Sequence, residues 1–249
     1  WNNIKRKKEK TDAQKAKIFT KVGREIAVAV KAGGADPAVN GKLRDLIAKA
    51  KSLNVPNDNI QRIIKKAEGA EKDDYESITY EGYGPSGIAM MVETLTDNRN
   101  RTAGNLRHYF DKFGGNLGNN GCVSFLFTEQ GVIVLDVEDK DEETVMEDAF
   151  DAGADDFDMA DGVAEVTTSP EAFSEVRHMF EIINGATHAL EEKGYEFISA
   201  DVAMVPSTRT ALTDPDDLKK MGLLLDHLEE DDDVQNIWHN LENEEDLDR

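Results

Sequence analysis

The sequence predicts an α+β, multidomain chain: a basic N-terminal three-helix bundle followed by an α+β domain that a ferredoxin-like (βαββαβ) domain interrupts. Three observations predict it. Apolar residues recur at helical spacing up to about residue 70 and then change to strand spacing. Past Gly131 the elements run strand, helix, strand, strand, helix, strand, the order of a split βαβ unit. Charge changes sign at the first boundary: residues 1–72 hold 18 Lys and Arg against 8 Asp and Glu, yet the 249-residue chain has a net charge of -22. The expected domains are 1–73, 74–131 together with 201–249, and the inserted 132–200.

The basic block reads as three helices. In the first, Thr11 or Asp12 caps, Ile18, Val22, Ile26 and Ala29 form one apolar face widened by Phe19 and Val30, and Gly33 and Gly34 end it. The second takes Asp36 as N-cap and Pro37 as its first helical residue, with Leu43, Leu46, Ile47 and Ala50 on one side, until Pro56 breaks the run. Asn57 or Asp58 caps the third, which carries Ile60, Ile63, Ile64 and Ala67 and stops at Gly69. Strands over 75–81 and 88–95 follow, joined by a glycine turn, and then a helix capped by Thr96 or Asp97 with Leu106, Tyr109, Phe110 and Phe113 inward. A strand over 122–128 precedes the inserted pattern of strand 132–137, helix 142–152, strands 155–159 and 163–168, a helix from Pro170 and strand 195–199. The chain closes with a strand ending near Pro206, a helix capped at Thr213, an acidic turn at 231–233 and a strand over 234–239. These late pieces need the strands before Gly131 as partners, which makes 132–200 an insertion. That insertion holds 20 acidic residues against 3 basic ones.

Several motifs are weaker than they look. Gly82, Gly84 and Gly87 spell GxGxxG, but Ile88 to Val92 continue as a strand where a dinucleotide fingerprint requires a helix, so a hairpin turn is expected. Asp151, Asp155, Asp156, Asp158 and Asp161 do not fit the spacing of a calcium loop, and the five histidines show no zinc spacing. Cys122 lies in an apolar pattern that suits a buried inert thiol, and a single Cys excludes an internal disulfide. With no phosphate loop and no nucleophile elbow, the sequence predicts a non-enzyme with no catalytic residues, no metal and no cofactor. No apolar run approaches the roughly 18 residues of a membrane span, and a reducing, cytoplasmic setting without membrane contact is expected.

The surviving signal is cationic. At 100° per residue Lys10, Gln14, Lys17, Lys21, Arg24 and Lys31 fall on one side of the first helix, away from Ile18, Val22 and Ile26, and this stripe contains no acid. Exposed helix faces usually alternate sign, so the stripe and the preceding arm of Lys5, Arg6, Lys7 and Lys8 are the expected phosphate contacts. Asn98, Arg99, Asn100 and Arg101 open the middle-domain helix, where two arginines oppose the macrodipole; they hold either a second anion or ion pairs to the acidic lobe.

Five stretches, WNNIKRKKEKTDAQKAKIFTK, AGGADPAVNGKLR, NVPNDNIQRIIKKAEG, YEGYGPSGIAMMVETLTDNRNRTAGNLRHYF and FGGNLGNNGCVSFLF, resemble the YebC family. That family takes in the bacterial YebC/PmpR proteins and the mitochondrial translational activator of cytochrome oxidase subunit I. The resemblance implies three domains, a cytoplasmic location and DNA-binding transcription regulation. For some members it implies RNA binding and translation regulation at the ribosome, aiding proline-rich stretches. Members begin with a short Gly-His-Ser-Lys stretch before the Trp, which implies a longer basic arm, and Ser86 stands where Gly is usual. The expected partner of the N-terminal domain is therefore a nucleic acid, DNA or ribosomal RNA. A basic protein such as a polymerase or ribosomal protein is the expected partner of the acidic domains. A small-molecule sensor is the remaining reading, and no convergent polar motif supports it.

Overall fold

A computed structural model describes residues 12–69, 75–138, 140–189 and 194–247. They form two compact units: residues 129–205, and the described residues on either side of that segment.

In the larger unit, α1 (Asp12–Gly33), α2 (Gly41–Ser52) and α3 (Asn57–Gly69) make the expected bundle. Its core is Val22, Ile26, Ala29 and Val30 from α1, Leu43, Leu46 and Ala50 from α2, and Ile60, Ile64 and Ala67 from α3. The second helix starts later than the sequence suggests. Asp36 forms only a local turn, accepting from the Ala38 N–H at 2.9 Å, while Asn40 is the N-cap and accepts from the Leu43 N–H at 3.1 Å. The Asn40 amide also donates to the Ala29 and Gly34 carbonyls, each at 2.8 Å. One buried side chain thus ends α1 and starts α2, which no local cap preference encodes. A Cβ on Gly33 would come within 2.8 Å of that amide, so glycine is required there for close approach.

The rest of this unit is a four-stranded sheet in the order β3–β1–β2–β8, built from β1 (Glu76–Tyr83), β2 (Ala89–Thr96), β3 (Asn116–Leu117) and β8 (Val234–His239). The late strand does return to the early hairpin: β8 pairs antiparallel with β2 through Met91↔Trp238 and Val92↔Ile237. Two helices, α4 (Arg99–Lys112) and α7 (Pro215–Glu230), cover one face. Ile88, Met90, Leu106, Phe110, Met221 and Leu224 are fully buried in this core. The GxGxxG stretch is the expected turn, closed by the Gly84 N–H donating to the Ile88 carbonyl at 2.7 Å. Gly82 serves packing instead of phosphate, since a Cβ there would meet the Asn116 carbonyl at 2.6 Å and push β3 off the sheet edge.

The strand expected over 122–128 begins only at Phe127. Glu81, 7% exposed, accepts from the N–H groups of Gly121, Val123 and Ser124 at 2.8, 2.8 and 2.9 Å, which holds the preceding residues as a loop ending in a single 3₁₀ turn. Burial raises the Glu81 pKa, but these three donors outweigh it and hold the carboxyl below its ordinary range. Cys122 is half-buried, and burial followed by the Glu81 charge pushes its thiol up.

In the smaller unit, β4 (Phe127–Asp136), α5 (Glu142–Asp151), β5 (Asp156–Ala160), β6 (Val163–Thr168), α6 (Phe173–Ala189) and β7 (Glu196–Pro206) realise the βαββαβ order. The strand order β5–β6–β4–β7 is that of the ferredoxin-like sheet. Both helices bury one face in one cluster, Val145 and Ala149 from α5 and Phe173, Val176 and Phe180 from α6, against Ile133, Leu135, Ala164 and Val166. β4 and β7 are each longer than expected, because the segments at 127 and 206 continue strands instead of starting new ones.

Candidate nucleic-acid interface

Cationic side chains in the larger unit fall into two groups. The first is the α1 stripe. Val22 and Ile26 face the bundle, which turns Lys17, Lys21 and Arg24 to the other side. There they meet the C-terminal end of α7. Lys17 Nζ donates to the Glu230 carbonyl at 3.1 Å, Lys21 Nζ to the Glu229 carbonyl at 2.8 Å, and the Arg24 guanidinium to the Asp232 carbonyl at 2.8 Å. The last carbonyls of a helix lack intrahelical donors and carry the negative end of its dipole, so Lys17 and Lys21 are well matched to Glu230 and Glu229, while Arg24 meets the turn that follows the helix.

Arg24 also reaches Asp233 Oδ1 at 3.1 Å and lies over the Tyr75 ring at 5.6 Å from its centroid. The Asp233 side chain is 5% exposed and is a hub: its Oδ2 accepts from Arg101 at 2.7 Å, from the Thr102 hydroxyl at 2.9 Å and from the Thr96 hydroxyl at 3.3 Å. Burial raises its pKa, but the Arg101 and Thr102 hydrogen bonds, the Arg101 charge and the Arg24 bond together hold it below the usual carboxylate range. Arg101 is in turn held above its ordinary range by Asp233 and by Asp97, which it meets at 2.7 Å.

The residues suspected of a second anion site are therefore occupied in part. Asn98 caps α4 by accepting from the Arg101 N–H at 3.1 Å, and Arg101 pairs with Asp97 and Asp233 of its own unit. Arg99 and Asn100 are exposed. Lys31 is half-buried in the last turn of α1, and Lys5, Arg6, Lys7, Lys8 and Lys10 lie outside the described residues.

The second group consists of Lys42, Arg44 and Lys51 on α2 and Arg62, Lys65 and Lys66 on α3, all exposed. None of the six makes an ion pair among the described residues. Sequence reasoning passed over them because α2 and α3 mix their cations with Asp45, Asp58 and Glu68, whereas the α1 stripe is pure. A helical-wheel projection of the polar faces was the available signal. Purity proved an ambiguous guide, because a stripe without acids suits a helix C-terminus as well as it suits phosphate. Among the described residues no group of three or more His, Cys, Asp and Glu is arranged to hold a metal ion.

Residues 1–70 match the family model described as the TACO1/YebC protein N-terminal domain, and residues 75–241 match the TACO1/YebC second and third domain. A probable transcriptional regulatory protein of Acetivibrio thermocellus is 57% identical over 242 residues, covering 96% of each chain. One from Clostridioides difficile is 56% identical over 242 residues, covering 96% of this chain and 97% of its own. A crystal structure of a conserved hypothetical protein from Aquifex aeolicus is similar with a TM-score of 0.81 at 40% identity, covering 94% of this chain and 92% of the other.

Proposed function

This chain belongs to the TACO1/YebC family of regulators, and on that premise we propose that it is a non-enzymatic, cytoplasmic, nucleic-acid-binding protein that regulates transcription through DNA. One observation carries the reading: residues 1–72 keep a net charge of +10 on a chain of -22, and six of their cations are exposed on α2 and α3. Such cations neutralise phosphates and release counterions, which supplies much of the affinity of proteins for nucleic acid. The acidic remainder repels the same polyanion and so turns the basic end toward it. The arm of Lys5, Arg6, Lys7, Lys8 and Lys10 adds contacts to that end. Phosphate contacts position a protein without reading bases, so ribosomal RNA is the alternative target of the same surface.

Replacing Arg44, Lys51, Arg62 and Lys66 by Ala should weaken binding to a duplex and flatten log K against log salt by about 0.9 for each phosphate left unneutralised, or about 0.7 on single-stranded RNA. Lys219→Ala with Lys220→Ala, on the acidic body, should leave the slope in place. Wild-type affinity and slope in the four-site variant would remove α2 and α3 from the interface. Co-sedimentation with ribosomes at low salt, abolished in that variant, would move the target from DNA to RNA.

A further inference from the structure

Seven large apolar side chains are exposed among the described residues, and four of them, Met146, Phe150, Met179 and Ile182, sit on α5 and α6 of the smaller unit. On α5 the arrangement is specific. Val145 and Ala149 are fully buried, and Met146 and Phe150, each the next residue, form an i,i+4 row beside that face at 38% and 49% exposure. Next to this row Glu143, Glu147 and Asp151 stand at i, i+4 and i+8, all exposed and none in an ion pair among the described residues.

That charge pattern works against the helix that carries it. Like charges at i,i+4 repel, and Asp151 lies at the negative end of the helix dipole, with no basic residue anywhere in α5. An apolar row beside a row of uncompensated carboxylates is the complement of one chemistry, a helix with apolar residues along one face and Lys or Arg beside them. A second copy of this chain is the poorer occupant, because residues 132–200 carry 20 acids against 3 bases and two such faces repel. Methionine suits the role, since its flexible thioether adapts to a partner's side chains.

We propose that the outer face of α5 is a docking surface for a basic amphipathic helix of a protein partner. Met146 and Phe150 receive its apolar row, and Glu143, Glu147 and Asp151 receive its cations. The surface is separate from the cationic residues of α2 and α3 and stands or falls independently of nucleic-acid binding.

The test uses the full chain and a fluorescent synthetic Leu/Lys helix with every Leu on one face, beside a scrambled peptide of the same composition. The wild type should prefer the amphipathic peptide by about tenfold or more, and Met146→Ser with Phe150→Ser should abolish that preference. Glu143→Gln, Glu147→Gln and Asp151→Asn together should weaken both peptides and flatten the salt dependence. This second variant relieves i,i+4 repulsion and removes a charge from the negative end of the dipole at Asp151, against the loss of the favourable Glu143 charge in the first turn, so it should not lower Tm and its result stands apart from any folding defect in the first. Leu223→Ser, an exposed apolar position on α7, should change neither peptide. Equal binding of the two peptides by the wild type, or a preference that survives Met146→Ser with Phe150→Ser, overturns the proposal. A dimer in sedimentation that this variant disperses, without peptide binding, overturns it in favour of a second copy.

Discussion

Asp233 shows how one side chain sets the behaviour of its surroundings. It belongs to a turn of three consecutive acidic residues, yet its carboxylate is 5% exposed and collects Arg24, Arg101, Thr96 and Thr102. Its pKa is depressed in the folded state, so it contributes stability that is fully present above its unfolded value of about 3.9 and is lost as pH falls through the native value. Glu81 acts in the same direction, its carboxyl held down by three backbone donors. Asp233→Asn keeps the shape but removes the charge, and its partners Arg24 and Arg101 are 22% and 46% exposed, which limits the loss through solvent screening. The expected cost is about 2 kcal/mol at neutral pH, measured by urea unfolding. The wild type should lose that advantage below about pH 4, so the two stability curves converge on acidification. Parallel curves down to the acid limit would mean that Asp233 does not titrate as the hub requires.

At the scale of elements, the end of α7 and the polar face of α1 form one structure. Lys17, Lys21 and Arg24 supply donors to the carbonyls of Glu229, Glu230 and Asp232. From the helical wheel alone, replacing the three by Ala costs little, since Ala is the best helix former and the face lies opposite the bundle core. With the α7 terminus in place the expectation reverses. The triple Ala variant should lose about 1–3 kcal/mol, because it leaves helix-end carbonyls without donors and removes cations from the dipole's negative end. Thermal unfolding of the full chain checks this, and an unchanged Tm would show that the contacts add nothing. A change in nucleic-acid affinity in this variant reads both the helix contact and any phosphate contact, so the α2 and α3 cations are the cleaner probe.

For the whole molecule, docking of the stripe and the net charge act together. In the intact chain three cations of α1 are committed to the end of α7 and the turn that follows it, and the residues beyond 72 carry a net charge of -32. A fragment of residues 1–72 is freed from both. Its own core, with Ile26, Leu43 and Ile60 at 1% exposure or less, gives it material to fold, and helicity by circular dichroism is the first check. The fragment should bind duplex DNA more tightly than the full chain, with a salt slope steeper by up to roughly two to three units as Lys17, Lys21 and Arg24 become available. An equal slope would show that the released stripe takes no phosphate. Tighter binding by the acidic remainder would contradict the charge argument altogether.

How much of this was legible in the sequence depends on the range of the interaction. The three helices, the βαββαβ order, the glycine hairpin and the charge division follow from periodicity, turn residues and composition, which act within a few residues or sum over many. Even the return of the last strand to the first hairpin could be argued, since β8 had no other apolar partner. The errors lie where a distant group satisfies a local need. Asn40 displaced Asp36 as a cap because its amide also closes α1 at Ala29 and Gly34, and Glu81 captured the 121–124 backbone that apolar patterning assigned to a strand. The cationic stripe is a different matter, since the contacts it makes leave its role toward phosphate to the fragment and variant measurements. Sequence determined its charge and its face, because both are set by side-chain identity and helical pitch. Only the tertiary structure decided what met it, because a helix's terminal carbonyls attract cations just as phosphates do, and no pattern within α1 records that α7 ends beside it.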